Sequence, residues 1–145
     1  MSLHNILERK VISCTPETPI KEVAELMDKE NVGAILVLQK GKPQGIITDR
    51  DIVIRCVVKG LDCTGTAVKE MMTENVETVN VDDGIYDVVQ VMKKNKIRRV
   101  PVIDSSGKAV GLLSFSDVYQ LLAKEIGDLS VPVAPEEPKI VEQAA

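Results

Sequence analysis

Val11 to Ile52 reads VISCTPETPIKEVAELMDKENVGAILVLQKGKPQGIITDRDI, and Val76 to Val118 reads VETVNVDDGIYDVVQVMKKNKIRRVPVIDSSGKAVGLLSFSDV. Displacing the first by 65 positions, with one residue inserted in the loop at Lys40 and Ser105, brings the two into class-for-class agreement. Val11 falls on Val76, Ile20 on Ile85, Val23 on Val88, Met27 on Met92 and Val32 on Ile97. Val37 falls on Val102, Gly45 on Gly111, Thr48 on Ser114 and Asp51 on Asp117. An internal repeat governs the reading of the whole chain. Halves of about 60 residues are close to the size at which one core is marginal. They are expected to pack face to face, with a cleft at the symmetric seam.

Each half reads strand, helix, strand, turn, strand, helix. Ile20, Val23, Ala24 and Met27 fall at helical spacing, as do Ile85, Val88, Val89 and Met92. Thr18 with Pro19 at the first helical position, and Asp83 in the second copy, are the expected N-caps. The apolar runs at 33–39 and 98–104 are buried strands, and Pro101 argues for a sheet edge in the second. Two turns follow, then the strands GIIT and GLLS, then helices over 49–58 and 116–126. The expected class is α/β (α+β), with a small sheet per half. Residues 1–62 form the first unit and 63–128 the second; 129–145, with three prolines, is a flexible tail.

Composition narrows the function. Hydrophobic residues are 44% of the 145, but aromatics only 2%, so the core is aliphatic and stacking on bases is disfavoured. The net charge of −4, with no basic block, argues against nucleic acid. No apolar run is long enough to span a membrane, and the N-terminus lacks a signal-peptide core. Cys14, Cys56 and Cys63 are odd in number and lack metal spacing, which reads as reduced thiols in a cytoplasmic protein.

The two strand-to-helix turns, Gly45 to Asp51 and Gly111 to Asp117, carry the chemistry. Each sets a hydroxyl and a carboxylate three residues apart across a helix start. The helix N-terminus offers free N–H groups to a phosphate. The carboxylate can accept two hydrogen bonds from the vicinal diol of a ribose. The same residues also read as an ordinary helix cap with a dipole-favoured acid.

The ordered set of motifs resembles a tandem pair of cystathionine β-synthase (CBS) domains, a Bateman module. The matching stretches are the helix of Thr15 to Met27, the run Ile97 to Asp104, the lead-in Val68 to Thr73 and the two G-h-h-[T/S]-x-x-D turns (h, apolar). They cover roughly residues 3 to 126. The resemblance implies two βαββα repeats with pseudo-twofold symmetry. It implies inter-repeat clefts that bind adenosyl ligands, AMP, ADP, ATP or S-adenosylmethionine, with no cofactor required. It implies a homodimer and a regulatory, energy-sensing role exerted on an effector protein still to be identified.

By that match one cleft uses Ser114, Ser116 and Asp117, with Ile12 and Ser13 lining the adenine slot and Val32 beneath it. The other uses Thr48, Arg50 and Asp51, with Val76, Glu77 and Ile97. Asp51 and Asp117 would hold ribose hydroxyls, and Thr48 and Ser114 would face the phosphate side. Arg98 and Arg99 lie where the family carries phosphate-reaching cations; their counterparts are Gly33 and Ala34, which breaks the symmetry.

An enzyme is disfavoured. His4, the sole histidine, lies in a leader expected to be mobile, so no buried Ser/His/Asp set is available. Neither GxxxxGK[ST] nor GxGxxG occurs. Cys14 reads as an inert strand thiol. Asp49 and Asp51 diverge at helical spacing, which is unsuited to a metal. The competing reading is a dimeric interaction scaffold whose clefts are vestigial or unoccupied.

Overall fold

The computed structural model describes residues 3–7 and 10–130. In the first half, strand β1 (Ser13–Cys14) leads to helix α1 (Ile20–Glu30), strands β2 (Ala34–Gln39) and β3 (Lys42–Thr48), and helix α2 (Asp49–Ile52). α2 continues as a π-helical turn over Val53–Val57. A two-residue strand, β4 (Thr73–Glu74), follows the linker. The second half repeats the pattern with β5 (Val79–Asn80), α3 (Ile85–Asn95), β6 (Arg99–Ile103), β7 (Ala109–Ser114) and α4 (Phe115–Leu129).

The sheets run β1-β2-β3-β4 and β5-β6-β7. Their registers are copies of one another. Cys14 pairs with Val37 and Val79 with Val102, both parallel. Ala34 opposes Thr48, and Arg99 opposes Ser114. Even the register shift recurs at the same place, after Val37 and after Val102. The duplication in sequence is therefore a duplication of hydrogen bonding.

Several local expectations are corrected. Pro101 is not at a sheet edge: β6 is the central strand of its sheet. Pairing with β5 begins only at Val102, so the missing N–H of Pro101 faces no ladder partner. In the first half Leu36, at the matching position, donates to the Ile12 carbonyl at 3.3 Å. Thr18 does not cap α1; its hydroxyl accepts from the Thr15 N–H at 3.1 Å. The first N–H groups of α1 are satisfied instead by linker carbonyls, Ile20 to Thr66 at 3.0 Å and Lys21 to Cys63 at 2.9 Å. Asp83 accepts from Asn80 at 2.7 Å, leaving Asp87 to cap Gly84 at 3.3 Å. Both α1 and α3 end in a left-handed residue, Asn31 and Lys96.

Two aliphatic cores form. One gathers Ile20, Val23, Ile35, Val37 and Ile47; the other Val88, Val100, Val102, Leu113 and Val118. Each fully buried side chain of this kind contributes about 1.5–3 kcal/mol. The halves also exchange segments. Leu3, in a short 3-10 turn, is wholly buried in the second core, with Ile6 and Leu7 packed on it. Its counterpart Val68, also in a 3-10 turn, is wholly buried in the first core together with Met71. The leader around His4 is thus anchored rather than mobile.

Cys56 and Cys63 form a disulfide, which corrects the expectation of three free thiols. After the π-helical turn the chain reverses through Gly60, at φ +65°, and the Leu61 N–H bonds the Cys56 carbonyl at 3.1 Å. That turn brings Cys63 over Cys56. α4 runs through Leu129, beyond the expected end at 126; residues 131–145 of the expected tail lie outside the described residues.

Candidate functional site

Each half contributes the mouth of one cavity and the wall of the other. A cavity of about 400 Å³ lies between Gly111, Leu113 and Asp117 of the second half and Ile12, Val32 and Ala34 of the first. Its rim carries Lys10 and Lys124. A cavity of about 380 Å³ lies between Thr48 and Asp51 of the first half and Val76, Glu77, Ile97, Arg98 and Arg99 of the second. Both fall at the lower end of the size range of small-molecule sites.

The close approach of the segments requires glycine. A Cβ on Gly111 would run into the Leu7 side chain, and one on Gly45 would lie 2.6 Å from Met72 Sδ and 2.7 Å from the Thr73 carbonyl. Leu7 and Met72 are themselves counterparts in the repeat. The glycine that opens each strand-to-helix turn is where the exchanged segment crosses the strand.

Asp51 and Asp117 each close a capping box. Asp51 Oδ2 accepts from the Thr48 N–H at 3.0 Å, and the Thr48 hydroxyl accepts from the Asp51 N–H at 3.1 Å. Asp117 Oδ2 accepts from the Ser114 N–H at 2.8 Å and from the Ser114 hydroxyl at 2.6 Å. The cap occupies one carboxylate oxygen and leaves the other. The halves then differ. Arg55 Nη2 stands 3.6 Å from Asp51 Oδ1, and Arg55 Nη1 donates to the Met71 carbonyl at 2.5 Å. Leu121 occupies the corresponding place in the second half, so among the described residues Asp117 has no such ion pair, and it lines the cavity.

Not every expected residue faces a cavity. Ser13, Ser114, Ser116 and Arg50 line neither. Ser114 is turned inward by its own cap, and Ser116 and Arg50 lie exposed on the first turns of α4 and α2. Conversely, Lys10, Gln120 and Lys124 line the Asp117 cavity, and Asn95 and Thr73 to Asn75 line the Asp51 cavity. Gln120 and Lys124 follow Asp117 by three and seven positions on α4, a same-face spacing that the sequence displays. The others depend on which segment the fold lays over the strand.

Among the described residues no group of three or more His, Cys, Asp or Glu side chains could hold a metal ion. No helix among them is long and apolar enough to cross a membrane. Burial raises the Cys14 thiol to a pKa of about 11 despite a hydrogen bond with Thr18, so it stays protonated near neutrality.

The CBS domain family matches residues 3–57 and 68–124. The uncharacterized protein MK0525 of Methanopyrus kandleri is 31% identical over 122 residues, 83% of this chain, which spans only 62% of that protein. The CBS domain-containing protein YhcV of Bacillus subtilis is 34% identical over 117 residues, 81% of this chain and 82% of its own length. The structure is similar to that of the CBS domain protein PAE2072 from Pyrobaculum aerophilum complexed with AMP: TM-score 0.74, 26% identity, 86% of this chain and 99% of that one. It is also similar to the CBS domain pair of MJ0100 in complex with 5′-methylthioadenosine and S-adenosyl-L-methionine: TM-score 0.75, 28% identity, 86% and 98% coverage. Twofold matching of the family, duplicated register and shared architecture agree: the chain belongs to the CBS domain family, as a tandem pair.

Proposed function

We propose that this CBS pair is a regulatory module that binds an adenosyl compound, AMP, ADP, ATP or S-adenosylmethionine, in its inter-repeat clefts and signals to a partner protein. The observation that carries this reading is Asp117: its Oδ2 is held by the cap, the residue lines the cavity, and among the described residues it makes no ion pair. A carboxylate so placed accepts both hydroxyls of a ribose diol. Lys10 and Lys124 on the rim supply charge for a phosphate. The PAE2072 and MJ0100 complexes support the same ligand class. In the second cleft Arg98 and Arg99 take the phosphate role. There the Glu77 carbonyl, to which Pro101 can offer no N–H, is an acceptor for an exocyclic amine. Binding couples the halves, because one ligand touches both; its effect is bounded by its differential affinity for the two packings. We place the module in the cytoplasm.

Exposed apolar side chains on the continuation of α2 and just after it (Val53, Val57, Val58) and on α4 (Tyr119, Ile126) support a homodimer. They equally suit the scaffold reading, in which the clefts stay empty. Calorimetric titration and thermal shift with the four ligands separate the two. A ligand at a hundred times its Kd stabilises the fold by about 2.7 kcal/mol. Asp117→Ala should remove the response of its cleft and Asp51→Ala that of the other. No heat and no melting shift at millimolar ligand would favour the scaffold; a parental response in both variants would refute the site.

A further inference from the structure

We propose that a pocket outside the two clefts is a docking socket for a partner-protein segment presenting a large apolar side chain flanked by carboxylates. The pocket holds about 310 Å³. Its floor is Val89, Met92, Ile97 and Phe115, and its rim is Lys93, Lys96 and Arg98, with no acid among the lining residues. Phe115 is the only phenylalanine of the chain and is 54% exposed. Backbone bonds hold the socket in shape: the Phe115 N–H donates to the Arg98 carbonyl at 2.8 Å, and the Ile97 N–H to the Met92 carbonyl at 3.0 Å. An apolar floor ringed by three cations attracts an anion that also carries an apolar group. Aromatic and arginine side chains are the residue types that dominate binding at such surfaces.

The repeat supplies an internal control. The first-half counterparts of Val89, Lys93, Lys96, Arg98 and Phe115 are Ala24, Asp28, Asn31, Gly33 and Asp49. One copy carries two carboxylates and no cation where the other carries three cations and an aromatic ring. Core positions are shared by the copies; these are not, so the socket is not a by-product of duplication. Ile97 and Arg98 also line the Asp51 cleft, which places the socket against the back of a ligand site. The docking chemistry stands whether or not that cleft takes a nucleotide.

The test is fluorescence anisotropy of the whole chain with a labelled octapeptide of two leucines flanked on each side by three aspartates. Saturable binding is expected. It should weaken about tenfold, about 1.4 kcal/mol, in the double variant Lys93→Glu/Lys96→Glu, which reverses two of the three rim charges. Phe115→Ser should weaken it similarly. These side chains are exposed, so circular dichroism should show the fold retained. Equal affinity for an octapeptide of aspartate alone would reduce the effect to bare charge attraction and overturn the proposal. Variants that bind like the parent would overturn it too. So would light scattering that shows a parental dimer dissociated by the lysine substitutions, because a second copy would then fill the socket.

Discussion

Substituting Gly45 by alanine probes the segment exchange directly. The new Cβ would lie 2.6 Å from Met72 Sδ, 2.7 Å from the Thr73 carbonyl oxygen and 2.9 Å from Met72 Cγ. Ordinary contacts are about 3.5–4.0 Å. Met72 can rotate away, but Thr73 is backbone and pairs with Ile46 in the β3–β4 ladder. Relief therefore requires β4 to move. Overpacking of this kind costs about 1–3 kcal/mol. Replacing a strand glycine offsets about 0.5–1 kcal/mol of that through lost unfolded-state freedom. The net expectation is about 1–2 kcal/mol of destabilisation. At about 2–4 °C per kcal/mol for a chain of this size, the melting temperature should fall by about 2–8 °C. Gly111→Ala differs, because the clash there is with the Leu7 side chain alone. Urea unfolding of Gly45→Ala, Met72→Ala and their double, beside Gly111→Ala, Leu7→Ala and their double, forms two thermodynamic cycles. Leu7→Ala should relieve most of the Gly111→Ala cost, and Met72→Ala only part of the Gly45→Ala cost. Parental stability in Gly45→Ala, or full relief by Met72→Ala, would refute the claim that backbone crosses the strand at this glycine.

The Cys14 thiol, raised from 9.0 to about 11 by burial, should react about a hundredfold more slowly with iodoacetamide at pH 8 in the folded chain than in urea. Equal rates would show it is not sheltered. Deprotonation of this thiol opposes the fold, so its contribution to stability is whole below pH 9 and is lost as pH rises towards 11, a loss absent in Cys14→Ala. Reducing the Cys56–Cys63 disulfide, which joins residues 7 apart, should lower stability by about 2–3 kcal/mol on loop-closure grounds. Scanning calorimetry with and without a phosphine reductant measures this, and Cys63→Ser should be insensitive to the reductant.

Much of the fold was legible because repeats and periodicity are local signals. The spacing of Ile20, Val23 and Met27 says which face of α1 meets a core, whatever that core is. The three-residue interval from Thr48 to Asp51 places a carboxylate on a helix start in any context. Pro101 misled because a missing N–H excludes a ladder partner, not a central strand, and β5 is too short to reach it. The capping residues misled because the linker carbonyls of Cys63 and Thr66 took over the first N–H groups of α1 from 42 or more positions away.

The chain alone determined that there are two like halves and that each bears an acid at the start of its second helix. Tertiary structure alone decided that Leu3 and Val68 are buried in the opposite half, that Cys63 meets Cys56, and that Arg55 stands beside Asp51 while Asp117 lines a cavity between the halves. Side-chain periodicity records only how a residue divides itself between water and an apolar interior. Which partner it finds there depends on how distant segments close around it, and residues far apart along the chain reveal that only once they are packed.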